Sequence, residues 1–185
     1  MIRGKVIFTK TTKQGKELVI RYPKRTDAKG MCDYINTLSK ERTFIRSQGE
    51  KITLEEERAY LRGQLTKMKD RQAVQLLVFL DDRLVGIAGV NMKDKIESHI
   101  GSLGISLDQK IRGEGIGTLL MDVLLRESKK YLPTLKTLIL SVFGQNKRAL
   151  SLYKKFGFTE YGKLPEGVRF RNLFDDQVLM YKKIR

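Results

Sequence analysis

Gly113, Gly115 and Gly117 alternate between Arg112 and Thr118, after a run of alternating side chains and before a helical apolar pattern that begins at Ile116. A strand, a tight turn and a helix start in that order make an anion site. The first amides of a helix have no carbonyl to receive them, and the positive end of the helix dipole lies behind them. Glycine lets the backbone come close to a ligand. Two common phosphate loops are excluded by spacing. A nucleoside triphosphate loop needs GxxxxGK[ST], and no Lys-Ser/Thr pair follows these glycines. The dinucleotide fingerprint needs GxGxxG with an acidic residue about 20 positions on, which does not match either.

The surrounding composition limits the possible partners. The chain has 185 residues, enough for one domain with a real core, so a single domain over 1–185 is expected. Its net charge of +16 predicts attraction to polyanions: nucleic acid, an acidic surface or a phosphorylated cofactor. One cysteine, Cys32, and one histidine, His99, offer neither a disulfide nor a metal cluster, so no metal is expected. No apolar stretch approaches the roughly 18 residues of a membrane helix, and no signal peptide is visible. A cytoplasmic protein with no membrane partner is the expectation.

The elements that must position the turn follow from periodicity. Lys5–Thr11 and Glu17–Tyr22 read as a hairpin, and Thr26-Asp27 offers a cap for a helix carrying Ala28, Met31, Cys32, Ile35 and Leu38. Thr53-Leu54-Glu55-Glu56 is a capping box for a helix to about Lys69. The intervening Glu41–Glu50 loop is a candidate lid. Gln75–Leu80 and Arg83–Val90 flank a two-residue Asp81-Asp82 turn. In the strand expected over Ile96–Leu107, Leu103, Ile105 and Leu107 form a large face, while Ser102, Gly104 and Ser106 leave room on the other. After the helix from Gly115, the apolar run Leu135–Phe143 reads as a buried strand. Asn146 caps a short helix ended by Gly157, and two strands near Phe158–Gly162 and Gln177–Lys182 are joined by Leu164–Gly167. The order β-β-α-α-β-β-β-α-β-α-β-β describes an α/β domain with a mixed central β-sheet flanked by helices.

Leu103–Met121 followed by Leu138–Phe158 resembles the GNAT superfamily of N-acetyltransferases. The turn is similar to the family's RGxGIGxxLL loop, and Asn146–Phe158 to its N-x-x-A-x-x-L-Y-x-x-x-G-F. The resemblance implies acetyl-CoA as cosubstrate, with the amides of Arg112, Gly113, Glu114, Gly115, Ile116, Gly117 and Thr118 on its pyrophosphate. It also implies main-chain contacts to the thioester from Ile105, Ser106 and Leu107, and a further contact from Asn146, whose role as a helix cap is compatible. Tyr153 is implied as the catalytic acid, because a phenol within reach can give a proton to the leaving thiolate.

The implied reaction is direct transfer of acetyl to a primary amine in a ternary complex, without a covalent enzyme intermediate. Its base is left open. An ammonium with a lysine-like pKa must be deprotonated at a cost of roughly 4–5 kcal/mol at pH 7. Members that act on protein N-termini often carry Glu where Ser141 stands here, and the alternatives are an ordered water chain or a carboxylate elsewhere, Asp108, Glu41 or Glu50. The acceptor region is expected from Glu41–Lys69 and Glu166–Asp176, where Phe170–Asp176 mixes aromatic and acidic side chains. The acceptor is a small molecule or a protein carrying an amine, and a dimer is not excluded. The rival reading is a basic ribosome- or RNA-associated binding module that keeps the fold without catalysis. It rests on charge alone, with no nucleic-acid motif behind it.

Overall fold

In the computed structural model, which describes residues 3–12, 14–170 and 172–184, every sheet-forming segment joins one eight-stranded sheet ordered β1-β2-β3-β4-β5-β6-β8-β7. Met1, Ile2, Lys13, Arg171 and Arg185 lie outside the described residues. The strands are β1 Val6–Thr11, β2 Glu17–Arg21, β3 Ala73–Leu80, β4 Arg83–Met92, β5 Ile100–Leu107, β6 Thr137–Phe143, β7 Thr159–Phe170 and β8 Leu173–Lys183. The helices are α1 Ala28–Lys40, α2 Leu54–Lys69, α3 Ile116–Tyr131 and α4 Lys147–Lys155. This is the mixed α/β order expected from the sequence.

Register parity assigns the helices to opposite faces, because residues directly paired across strands share a face. Leu77, Ile87 and Ser106 lie on one cross-strand row, and Gln75, Gly89 and Gly104 lie on another of the same parity. This face meets α1 and α2: the Tyr34 hydroxyl donates to Ser106 Oγ at 3.0 Å, and Gln75 Nε2 donates to the Tyr60 hydroxyl at 3.3 Å. The opposite parity carries α3, where Tyr22 hydrogen-bonds Glu127 and packs edge-on to Tyr131. The small face of β5 therefore looks toward α1 and α2, and its large face forms core with α3.

Local chemistry explains several boundaries. Asp81 and Asp82 both adopt positive φ, at 47° and 61°, as a two-residue type I′ hairpin requires. Thr53 and Glu56 close the capping box reciprocally, at 3.2 and 2.7 Å. At α1 the expected cap is not made. Asp27 occupies the N-cap position, but its carboxylate takes the Arg21 guanidinium through two 2.7 Å bonds and the Lys24 amide through a third.

Two other expectations are corrected. The strand expected from Ile96 starts at Ile100, since Lys95–Glu97 form a 3-10 turn held by a Lys93–Glu97 ion pair. Leu164–Gly167 is not the connecting loop. It lies within β7, which pairs with β8 from Thr159 to Phe170 and absorbs the extra residues as a bulge between Leu164 and Val168.

Candidate active site

The sheet opens where chemistry was expected. β5 and β6 pair in parallel only over Ile100–Ser102 and Thr137–Ile139. Beyond Ser102 the two strands are not paired, so the β6-facing edge of Leu103–Leu107 carries main-chain groups toward a gap. β5 remains paired with β4 as far as Leu107, which keeps that edge rigid. A cavity of about 1150 Å³ occupies the gap and the α1–α2 face. It is lined by Gly104, Ile105 and Ser106 of β5, Ser141–Phe143 of β6, and Asn146 and Tyr153.

The glycine turn stands at the end of β5. Gly113 and Gly115 have φ of 99° and 81°, the left-handed region where only glycine is unstrained, and Gly115 is the N-cap of α3. A Cβ on Gly115 would meet nothing within 4 Å, so the approach to the helix start is open. The third glycine has another role. A Cβ on Gly117 would lie 3.3 Å from Leu107 Cδ1, so Gly117 lets the strand end pack under the helix start. The amides of Ile116, Gly117 and Thr118 stand in the first turn of α3 and lack helical acceptors. Arg112 differs from this set. Its amide donates to Gln109 O, while its guanidinium binds Leu107 O at 2.9 Å and Glu41 at 2.6 Å, so this residue braces the turn. An arginine not anticipated from the sequence stands nearby: Arg148 Nη2 is 3.9 Å from where a Gly113 Cβ would sit, which adds positive charge beside the cradle.

Asn146 caps α4, its side-chain oxygen accepting from the Ala149 amide at 3.1 Å, which leaves its Nδ2 as a donor for a ligand. Tyr153 is buried at 6% exposure, packs on Phe158 with ring centroids 5.8 Å apart, and lines the cavity. Burial pushes its phenol up to about 12, so it holds its proton at neutral pH and can only donate. Ser106 is held by its side chain, between Tyr34 and the Ile87 carbonyl.

The structure removes all three carboxylates considered as the base. Glu41 is committed to Arg112 and the Gln109 amide, Asp108 to Arg83 and the Lys110 amide, and Glu50 to the Gln48 amide. Each braces a loop, and none of them lines the cavity. Ser141 does line it. Asp175 and Asp176 are likewise structural: Asp175 holds the Gln145 amide at 3.0 Å, and Asp176 pairs with Lys163 at 3.2 Å. The carboxylate that does face the cavity is Glu57, in the first turn of α2, which is inconspicuous in the sequence because it stands in the run Glu55, Glu56 and Glu57. Only 4% of it is exposed, and desolvation pushes its carboxyl up. The one available signal was its helical phase: it lies four residues before the buried Leu61.

The Glu41–Glu50 loop closes over the site. Phe44 packs on Phe143 and Phe170, with centroids 5.7 and 5.1 Å away, and those two rings are 5.4 Å apart. The loop, the end of β6 and the end of β7 thus meet in one aromatic cluster. Arg46 from the loop and Arg169 from β7 also line the cavity.

A family model described as the acetyltransferase (GNAT) family matches residues 35–158, well over half of the chain. The chain belongs to the GNAT acetyltransferase family. Among curated relatives it is 28% identical over 94 residues to the L-amino acid N-acetyltransferase AaaT of Escherichia coli, matching 50% of this chain. It is 37% identical over 65 residues to YwnH of Bacillus subtilis, provisionally described as a phosphinothricin acetyltransferase, matching 34% of this chain. The chain spans 57% and 37% of the lengths of these two relatives. A GNAT acetyltransferase structure from Streptococcus pneumoniae superposes with a TM-score of 0.83 at 29% identity, covering 91% of this chain and 99% of that one. Other chains of the same fold have been solved with acetyl-CoA or coenzyme A bound. The splayed β5–β6 pair, the αL glycine turn and Tyr153 thus lie within a GNAT fold. Among the described residues there is no group of side chains that could hold a metal ion, and no helix is long and apolar enough to cross a membrane.

Proposed function

We propose that this GNAT chain moves an acetyl group from acetyl-CoA to the primary amine of a small, amino-acid-like molecule by direct transfer, working as one domain in the cytoplasm. The observation that carries the reading is the open αL turn at the start of α3, aligned with the β5–β6 gap. The amides from Gly113 to Thr118 would hold the pyrophosphate, each favourable charge at the helix start contributing about 0.3–1 kcal/mol, with Arg148 alongside. The free edge of β5 at Ile105–Leu107 would orient the thioester, and its amides would stabilise the oxyanion as the amine adds. Tyr153, protonated and facing the cavity, gives its proton to the departing thiolate and recovers one from the amide nitrogen. Cys32 lies on α1 with its thiol pushed up by burial, which does not suit a covalent intermediate.

The amino-acid class is supported by the names of the relatives and by Arg46 and Arg169, two guanidinium groups in the acceptor half that suit a carboxylate. Titration calorimetry with acetyl-CoA, then thiol release with L-methionine, L-glutamate, L-lysine, spermidine and an alanyl peptide, tests the proposal. Binding and turnover of an amino acid are expected. Absence of acetyl-CoA binding by the native chain would overturn the enzyme reading, and turnover of the peptide alone would overturn the acceptor class.

A further inference from the structure

Within the same cavity, three buried oxygen acceptors have no hydrogen-bond partner among the described residues: Glu57 Oε1, Gln75 Oε1 and Asn91 Oδ1. Each comes from a different element, α2, β3 and β4, and all face the α1–α2 side. Gln75 pairs across the sheet with Gly89, which pairs with Gly104, and Asn91 pairs with Ser102. Gly89 thus stands opposite Gln75 and two residues from Asn91 on the same face, and Gly104, where a Cβ would meet nothing within 4 Å, continues that face to β5. Adjacent strands lie about 4.8 Å apart, so Asn91 on β4 stands one strand spacing from β5 and Gln75 on β3 two. The Tyr60 hydroxyl takes the Gln75 amide nitrogen, which orients its oxygen away from that bond.

Buried acceptors without donors are costly, and a carboxylate among them is more so. A guest that satisfies all three must bring several N–H donors and a positive charge. Phosphate, carboxylate and neutral apolar ligands fail that requirement. A protonated primary amine meets it with three N–H bonds on one nitrogen.

We infer that Glu57, Gln75 and Asn91 form the seat of the acceptor's ammonium group, and that Glu57 takes its proton. This rests on the acetyltransferase reading and supplies the base missing from it. The ammonium enters with three protons and gives one to the Glu57 carboxylate, leaving a neutral amine and a carboxylic acid. The amine lone pair then forms the C–N bond to the thioester carbon. The C–S bond breaks, Tyr153 protonates the sulfur, and the proton that the new amide nitrogen sheds restores Tyr153. The net proton of the reaction is left on Glu57, which returns it to solvent. The titratable groups that interact with Glu57 are Cys32 of α1 and Tyr60 of α2, and neither is bonded to its carboxylate.

The test compares native chain, Glu57→Gln and Asn91→Leu with the amine of the above panel that the native enzyme acetylates fastest. Glu57→Gln is expected to lower kcat/KM at pH 7 by about 10²–10⁴-fold. Its rate should climb about tenfold per pH unit toward the amine's own pKa, as solution supplies the free base. Its affinity for acetyl-CoA by calorimetry should stay within about twofold of native, as expected of a residue outside the cradle. Asn91→Leu should raise KM for the amine with kcat nearly unchanged. An unchanged kcat/KM and pH profile in Glu57→Gln, or an unchanged amine KM in Asn91→Leu, overturns the seat. Failure of the native chain to bind acetyl-CoA overturns the underlying enzyme reading instead.

Discussion

The two halves of the cavity are built from different materials. The half beside α3 and α4 works through backbone: αL glycines, free helix amides and a strand edge. The half between α1, α2 and the β7–β8 hairpin works through side chains contributed by distant segments, with Glu57, Gln75 and Asn91 at its floor and Phe44, Phe143 and Phe170 at its rim. Under the proposed function, the backbone half would recognise a group common to all coenzyme A thioesters, and such a site tolerates little change. A side-chain site can be altered one residue at a time, and that is where acceptor choice belongs.

Substitutions that affect one half alone will sharpen this contrast. The largest effect is expected from Tyr153→Phe. It should lower kcat by about 10²–10⁴-fold while leaving acetyl-CoA affinity intact, because the ring still packs on Phe158. Since the phenol is pushed up to about 12, the native enzyme should show no loss of rate from its ionisation below about pH 11. Equal falls in kcat and cosubstrate affinity would blur the division.

Next is Gly115→Val. It forces a β-branched residue to a φ of 81° and places side chain at the open approach to the helix start. Calorimetry should show acetyl-CoA affinity falling by at least about tenfold, roughly 1.4 kcal/mol. Glu41→Gln removes the charge bound by Arg112 from a part-buried pair and should loosen the turn, raising KM for acetyl-CoA by about 1–2 kcal/mol in equivalent free energy. The smallest effect on the backbone half belongs to Arg148→Ala. Because Arg148 is exposed, its loss should weaken acetyl-CoA binding only a few-fold, and less as salt is raised.

The side-chain half makes a separate prediction about stability. The carboxyl of Glu57 is raised in the folded chain, so between the ordinary value near 4.3 and the raised one the folded state binds more protons than the unfolded state. Stability should therefore fall as pH rises through that window. Thermal melts of Glu57→Gln should lack this slope and lie higher at pH 8. A variant that melts lower at every pH would show that the carboxylate is held by partners after all.

The backbone half was legible in the sequence because its requirements are local. Gly113, Gly115 and Gly117 state the turn, Ile116–Leu124 the helix, and Asn146–Gly157 the cap and stop. The roles assigned to carboxylates did not survive folding in the same way. Glu41 and Asp108 are as acidic as Glu57, yet the fold brings Arg112 to the first and Arg83 to the second. Nothing in local spacing announces either meeting. The bulge that carries β7 through Leu164–Gly167 depends on pairing with β8, so Pro165 and Gly167 read as a loop from the sequence alone.

By itself, then, the sequence determined the order of elements, the glycine turn and the family resemblance, since each is written in neighbours a few residues apart. Tertiary structure decided which carboxylate is free, because freedom is defined by who else arrives. Gln75 and Asn91 come to share a face with Gly89 and Gly104 only through strand register, and α2 must pack on that face for Glu57 to line the same cavity.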